Sequence, residues 1–264
     1  MIAMIRYSLL LLLIGATLAI NAQVKDRVVL TSHRAFQAGE TLTYAVRYGI
    51  IPGGAGHFSV RDTVVNGKKV NHIKVKGVTT GLADAIFKVR DVYESFMDVN
   101  TDMPVKAIRN IREGRYRYYD EITYNRDSSV VNTTRTGTHK VPPKILDVVS
   151  AFYFARSHVF NDQLKEGELI ELVTFFAGKV YPIRIRYRGI ETISTRFGKV
   201  QCYMFSPVTE VGRAFKTEDD MQVWISRDNN RVPIRIRFNL VVGSFVCELT
   251  EFRGLKYPFS SLRL

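Results

Sequence analysis

The chain has 264 residues, of which 46% are hydrophobic and 24% charged; this is a globular composition and excludes an intrinsically disordered protein. Its formal charge of +13 points to acidic partners. Two cysteines, Cys202 and Cys247, leave room for one disulfide at most.

The first element is a secretory signal. A single charge, Arg6, precedes an apolar run over residues 7–20, and Asn21-Ala22-Gln23 leads into Lys25, Asp26 and Arg27. A run of about 14 residues is too short for a membrane anchor, which needs roughly 20. Cleavage is therefore expected after Ala22, leaving residues 23–264 as one β-rich domain. No cysteine stands at the cut to take a lipid, so the mature protein is expected free in the periplasm, secreted, or associated with the outer membrane. No later apolar run is long enough to span a bilayer as a helix, so no membrane span is expected after cleavage. Export argues against nucleic acid as the partner of so basic a protein and favours anionic lipid, lipopolysaccharide or cell-wall polymers.

From Leu42 onward, apolar and polar residues alternate with the period of a strand. The pattern predicts strands over 42–48 and 56–61, with Ile51-Pro52-Gly53-Gly54 as the turn between them. An Asn66-Gly67 hairpin follows, and then strands near 69–79, 86–97, 104–112, 115–125 and 129–136. Asp147 to His158 breaks the alternation. It follows Pro142-Pro143, has Asp147 placed as an N-cap, and sets Val148, Phe152 and Ala155 on one face. One amphipathic helix is predicted there, with Phe152 pressed into the sheet. Strands resume near 168–176, 179–188, 199–208, 219–226, 233–239 and 241–252, and Trp224 is predicted to be buried. The expected fold is all-β and mostly antiparallel: a strongly curved sheet or incomplete barrel with one helix packed on it.

Candidate chemistry is sparse. His33, His57, His72, His139 and His158 are scattered without metal-ligand spacing. No phosphate loop or nucleophile motif is present, so no cofactor or metal is expected. Glu94 and Asp98 share a strand face; they are the pair a glycan hydrolase would need, and equally members of structural ion pairs with Arg90 and Arg112. Arginines are the more distinctive signal. Arg184, Arg186 and Arg188 alternate with apolar residues, as do Arg235 and Arg237, and Arg115 and Arg117 do so around Tyr116. Such rows are either a solvated outer face or a surface that grips phosphate or sugar acids. Cys202 and Cys247 lie in separate predicted strands, as a disulfide or as two free buried thiols.

The chain resembles the exported bacterial family named domain of unknown function 3108. The resemblance rests on Gly39-Glu40-Thr41-Leu42-Thr43-Tyr44, on Gly53-Gly54-Ala55-Gly56, and on the run from Asp91 to Asp98. Pro104 to Gly114, Asp147 to Arg156, and Val223 to Asp228 with Arg231-Val232-Pro233 extend it over nearly the whole mature chain. It implies an exported, mostly β protein and brings no catalytic residues. A non-enzymatic binding or carrier protein for a lipid or lipopolysaccharide component is the leading expectation. The alternatives are a scaffold or assembly factor for envelope proteins and a glycan-acting hydrolase. In a carrier, an apolar gap of a few hundred cubic ångströms should remain between helix and sheet.

Overall fold

The computed structural model describes residues 34–208, 220–240 and 243–263. The signal segment and His33 lie outside them. In chain order the elements are β1 (Thr41–Tyr48), β2 (Ile51–Val65), β3 (Lys68–Thr79), α1 (Gly81–Ile86), β4 (Arg90–Asp98), β5 (Pro104–Glu113), β6 (Tyr116–Asn125), β7 (Val130–Thr133) and β8 (Gly137–Lys140). Then come α2 (Val148–His158), β9 (Leu169–Phe176), β10 (Lys179–Thr195), β11 (Gly198–Pro207), β12 (Met221–Ser226), β13 (Pro233–Asn239), β14 (Ser244–Arg253) and the short β15 (Leu262–Arg263).

The strands form one continuous antiparallel sheet in the order β8-β7-β6-β5-β4-β3-β2-β1-β14-β13-β12-β11-β10-β9, with β15 pairing β11. It is two meanders joined where β1 pairs β14. The edge strands β8 and β9 share no ladder, so the barrel is incomplete. Leu146 bridges to Thr174 of β9 in parallel, and the His139 ring meets that of Phe175 at 5.2 Å between centroids.

Local sequence explains most of the ladder. Along β4, Asp91, Tyr93, Ser95 and Met97 are buried while their neighbours are half-exposed, as period-two alternation demands. The Asn66-Gly67 hairpin takes the positive φ angles that its residues favour, 49° and 75°. Three expectations shift. The first hairpin turns at Gly49-Ile50, so Gly53-Gly54-Ala55-Gly56 lies inside β2; a Cβ on Gly54 would collide with the Val78 carbonyl of β3, which requires glycine there. The strand expected at 86–97 is preceded by the unforeseen helix α1, and the one at 129–136 splits into the hairpin β7–β8.

The predicted helix is α2. Asp147 is its N-cap: its Oδ1 accepts from the Val149 and Ser150 amides at 2.9 and 3.0 Å, and Ser150 Oγ accepts from the Asp147 amide. The helix lies within the curve of the sheet and packs against both meanders. Val149 and Tyr153 join Val60, Ile73, Tyr93, Met97 and Ile111 from β2 to β5. Ala151, Phe154 and Ala155 join Leu172, Ile185, Tyr203, Phe205 and Ile225 from β9 to β12. Phe152 touches both clusters and stays half-buried.

Burial extends to polar groups on α2. Arg156 is fully buried and meets Glu40, the residue before β1, through two hydrogen bonds of 2.7 and 2.8 Å. It also donates to the Asn230 carbonyl in the β12–β13 turn, and it stacks over the Tyr153 ring at 4.9 Å. Glu40→Gln keeps the shape and leaves the guanidinium without its countercharge. A loss of about 3–5 kcal/mol is expected in urea denaturation; a loss below about 1 kcal/mol would show that the pair does not hold the helix.

Candidate functional site

The arginine rows lie on the sheet face opposite the helix side of the core. On β10, Ile185 and Tyr187 join the helix-side cluster, which turns Arg184, Arg186 and Arg188 outward. They are engaged: Arg184 Nε meets Glu171 at 2.7 Å, and Arg186 donates to the Gly167 carbonyl. On β13, Arg235 Nη2 meets Glu248 at 2.6 Å and the Ser194 carbonyl at 2.7 Å, and Arg237 covers the Trp224 ring at 5.5 Å. Glu248 also holds Arg47. The rows are therefore partly neutralised by their own carboxylates. Phe152, on the inner helix, does not share a site with them.

Trp224 is 4% exposed, as its flanking residues predict. Val223 and Ile225 face the helix side, whereas Trp224 packs with Ile193, Val200 and Cys202 and donates from Nε1 to Glu191 at 2.7 Å. The disulfide alternative is corrected: Cys202 and Cys247 are free. They stand on β11 and β14 with two strands between, which at about 4.8 Å per strand exceeds the reach of a disulfide. Burial pushes both thiols up to about 12, which keeps them protonated at neutral pH.

Beside the start of α2, the described residues leave no gap of the size a carrier needs. Where α2 meets β4, β5 and β9, against Tyr93, Arg109, Val148, Val149 and Phe176, the enclosed space is about 10 Å³, at most one water. A larger crevice of about 350 Å³ lies at the far end of α2. Its lining is polar and self-engaged. Asp162 is held by Arg227 at 2.8 Å and by the Tyr203 hydroxyl at 2.9 Å, and Arg231 donates to the carbonyls of Arg156 and Ser157. That arrangement suits a helix end better than an acyl chain.

Glu94 and Asp98 have separate partners. Glu94 meets His72 at 2.6 Å and Lys74 at 3.3 Å, while Asp98 accepts from the Asn100 and Thr101 amides. The expected arginine partners are elsewhere, Arg90 being bound to Asp84. Four residues along a strand place the two Cα atoms about 13 Å apart, and each carboxylate is turned to partners of its own. Among the described residues, no group of three or more His, Cys, Asp or Glu side chains is placed to hold a metal.

A different carboxyl pair lies inside. Asp91 is the second residue of β4 and Glu113 the last of β5, both under 5% exposed. Asp91 accepts from the Arg112 amide at 3.0 Å, whereas Glu113 Oε1 is buried without a hydrogen-bond partner. Burial, with the Asp91 charge beside it, pushes Glu113 up to about 8. Arg109, on the same face of β5, is buried with its guanidinium 3.9 Å over the Phe176 ring. Sequence could signal Asp91, which shares the parity of buried Tyr93, but Glu113, diagonal to it across the β4–β5 pair, is visible as its neighbour only in three dimensions.

Exposed apolar side chains gather at one end of the barrel. In a meander, every odd-to-even connection falls at the same end. Here that end carries the β1–β2 turn, α1 and the β5–β6 turn. Ile50, Ile51, Leu82 and Ile86 are exposed there, and α1 has no buried residue.

The sequence matches the family described as "Protein of unknown function (DUF3108)" over residues 43–250, and the chain belongs to it. Comparison with curated proteins finds no match. Among solved structures it is similar to a β-barrel-like protein of domain of unknown function DUF1849 from Brucella abortus, with a TM-score of 0.53 and 8% identity over 81% of this chain and 96% of that one. At that identity the likeness concerns the fold alone.

The Asp91–Glu113 pair has a measurable consequence. Because the Glu113 shift is upward from 4.5, its neutral form stabilises the fold below the ordinary glutamate range, and this contribution is lost as pH rises through about 8. Glu113→Gln is expected to flatten the decline in thermal midpoint between about pH 5 and about pH 8. Parallel profiles for parent and variant would show that Glu113 ionises normally.

Proposed function

We propose that this family member is a non-enzymatic protein of the bacterial envelope that binds an anionic amphiphile, a lipid or glycolipid, on its outer surface rather than inside its sheet. The observation that carries the reading is the filled interior: α2 occupies the curve of the sheet, and the space beside it is about 10 Å³. A pocket for a lipid-sized ligand needs some 300–1,000 Å³. The formal charge of +13 supports an anionic ligand. An exported location rests on the signal-like start of the chain.

A scaffold role is favoured by one feature, the edge strand β8. Gly137, Thr138 and Lys140 are exposed on a strand paired only with β7, and such an edge accepts a further strand from a partner.

Purified mature protein is expected to co-sediment with phosphatidylglycerol vesicles at low salt, to release as salt rises, and to ignore phosphatidylcholine vesicles. Native mass spectrometry should find the protein empty. One lipid retained per chain through purification would place the ligand inside and contradict the external reading. Absence from all vesicles would remove the amphiphile reading itself.

A further inference from the structure

The exposed end of the barrel has a composition that a solvated surface does not need. Ile50 is 94% exposed at the tip of the β1–β2 turn, with Ile51 at 55% beside it. Leu82 and Ile86, one helical turn apart on α1, are 70% and 68% exposed. These side chains belong to one surface. The Thr80 amide, at the start of α1, donates to Gly53 of β2 at 3.2 Å, and the Gly114 amide of the β5–β6 turn donates to Lys88 just past α1 at 2.8 Å. The helix therefore sits between the two turns, fastened to both.

Cations flank it on one side. On the β4–β6 side of it, Lys88, Arg112, Arg115 and Arg117 are exposed and make no ion pair among the described residues. The carboxylates on α1 and the strand ends beside it are already committed: Asp84 is gripped by Arg90 at 2.6 and 3.0 Å, and Asp91 and Glu113 are buried. Apolar knobs within a rim of free positive charge match an anionic bilayer, with the knobs entering the acyl boundary and the cations meeting phosphate. A soluble protein partner would need compensating carboxylates over this entire rim.

From this juxtaposition we propose that the end formed by the β1–β2 turn, α1 and the β5–β6 turn is a membrane-docking surface that inserts Ile50, Leu82 and Ile86 into a bilayer rich in anionic lipid. The proposal rests on the external amphiphile reading and names the surface responsible. Docking there sets the barrel axis steeply to the membrane and leaves the arginine rows on its flank.

The test uses the full mature chain and phosphatidylglycerol vesicles. The double variant Ile50→Glu, Leu82→Glu is expected to weaken vesicle binding about tenfold or more, and Arg115→Glu, Arg117→Glu to weaken it and flatten its salt dependence. Neither pair touches the core, so circular dichroism and the thermal midpoint should match the parent. Val64→Glu, an exposed apolar site at the opposite end of β2, should bind as the parent does. Parent binding that survives in Ile50→Glu, Leu82→Glu overturns the docking surface while the amphiphile reading stands. Parent protein that binds no vesicle overturns both and leaves this end to a protein partner. Equal binding to phosphatidylcholine overturns the role of the cations.

Discussion

Arg156 is the residue on which the arrangement depends. It projects from α2 into the core, fully buried, and a bare guanidinium there would carry a large desolvation penalty. Glu40 answers it with both carboxylate oxygens, the Asn230 carbonyl takes a further N–H, and the rings of Tyr153 and Phe36 cover its faces. Those partners come from the entry to β1, the β12–β13 turn and the helix itself. The charge is satisfied only when the first strand, the second meander and α2 are all in place, so the pair favours one seating of the helix over a loosely collapsed core.

The helix start is anchored as firmly. Asp147 caps its own helix and accepts from Ser95 of β4 at 2.7 Å, which ties the N-terminus to the first meander. The helix thus holds together two runs of strands whose outer edges, β8 and β9, never zip up. An incomplete barrel of this kind could in principle hold a ligand in its curve. Here α2, Phe36 and Phe176 fill it. The proposed recognition therefore falls to the end that carries α1, where Ile50, Leu82 and Ile86 are exposed, whereas Arg184 and Arg235 of the outer face are paired with Glu171 and Glu248.

Much of the fold was legible because its signals are local. Alternation marks the strands, Asn66-Gly67 marks a hairpin, and Asp147 before a non-alternating apolar run marks α2. The failures were also physical. Gly53-Gly54-Ala55-Gly56 reads as a turn or a bulge; it lies within a long strand, with a register shift against β1 at Gly53 and a close approach of β3 at Gly54. α1 is too short to show a helical period, and its apolar residues face outward, so no buried stripe exists to detect. The arginine rows were visible as rows, but Glu171 and Glu248, which neutralise Arg184 and Arg235, come from neighbouring strands whose register sequence does not reveal. Asp91 and Glu113 meet for the same reason, 22 positions apart in the chain and diagonal to each other across the β4–β5 pair, where Glu113 bridges to Val89.

The central claim is that α2 is a fixed part of the core and not a door over a cavity. Native-state hydrogen exchange resolved by residue tests it most directly. The amides of Ala151 to Arg156 are expected to exchange only with global unfolding, at the same free energy as the slowest amides of β4 and β11. Exchange of those helix amides at a distinctly lower free energy, with the strands still protected, would mean that α2 leaves its seat while the sheet persists. That result would contradict the account and restore the interior as a place for a ligand.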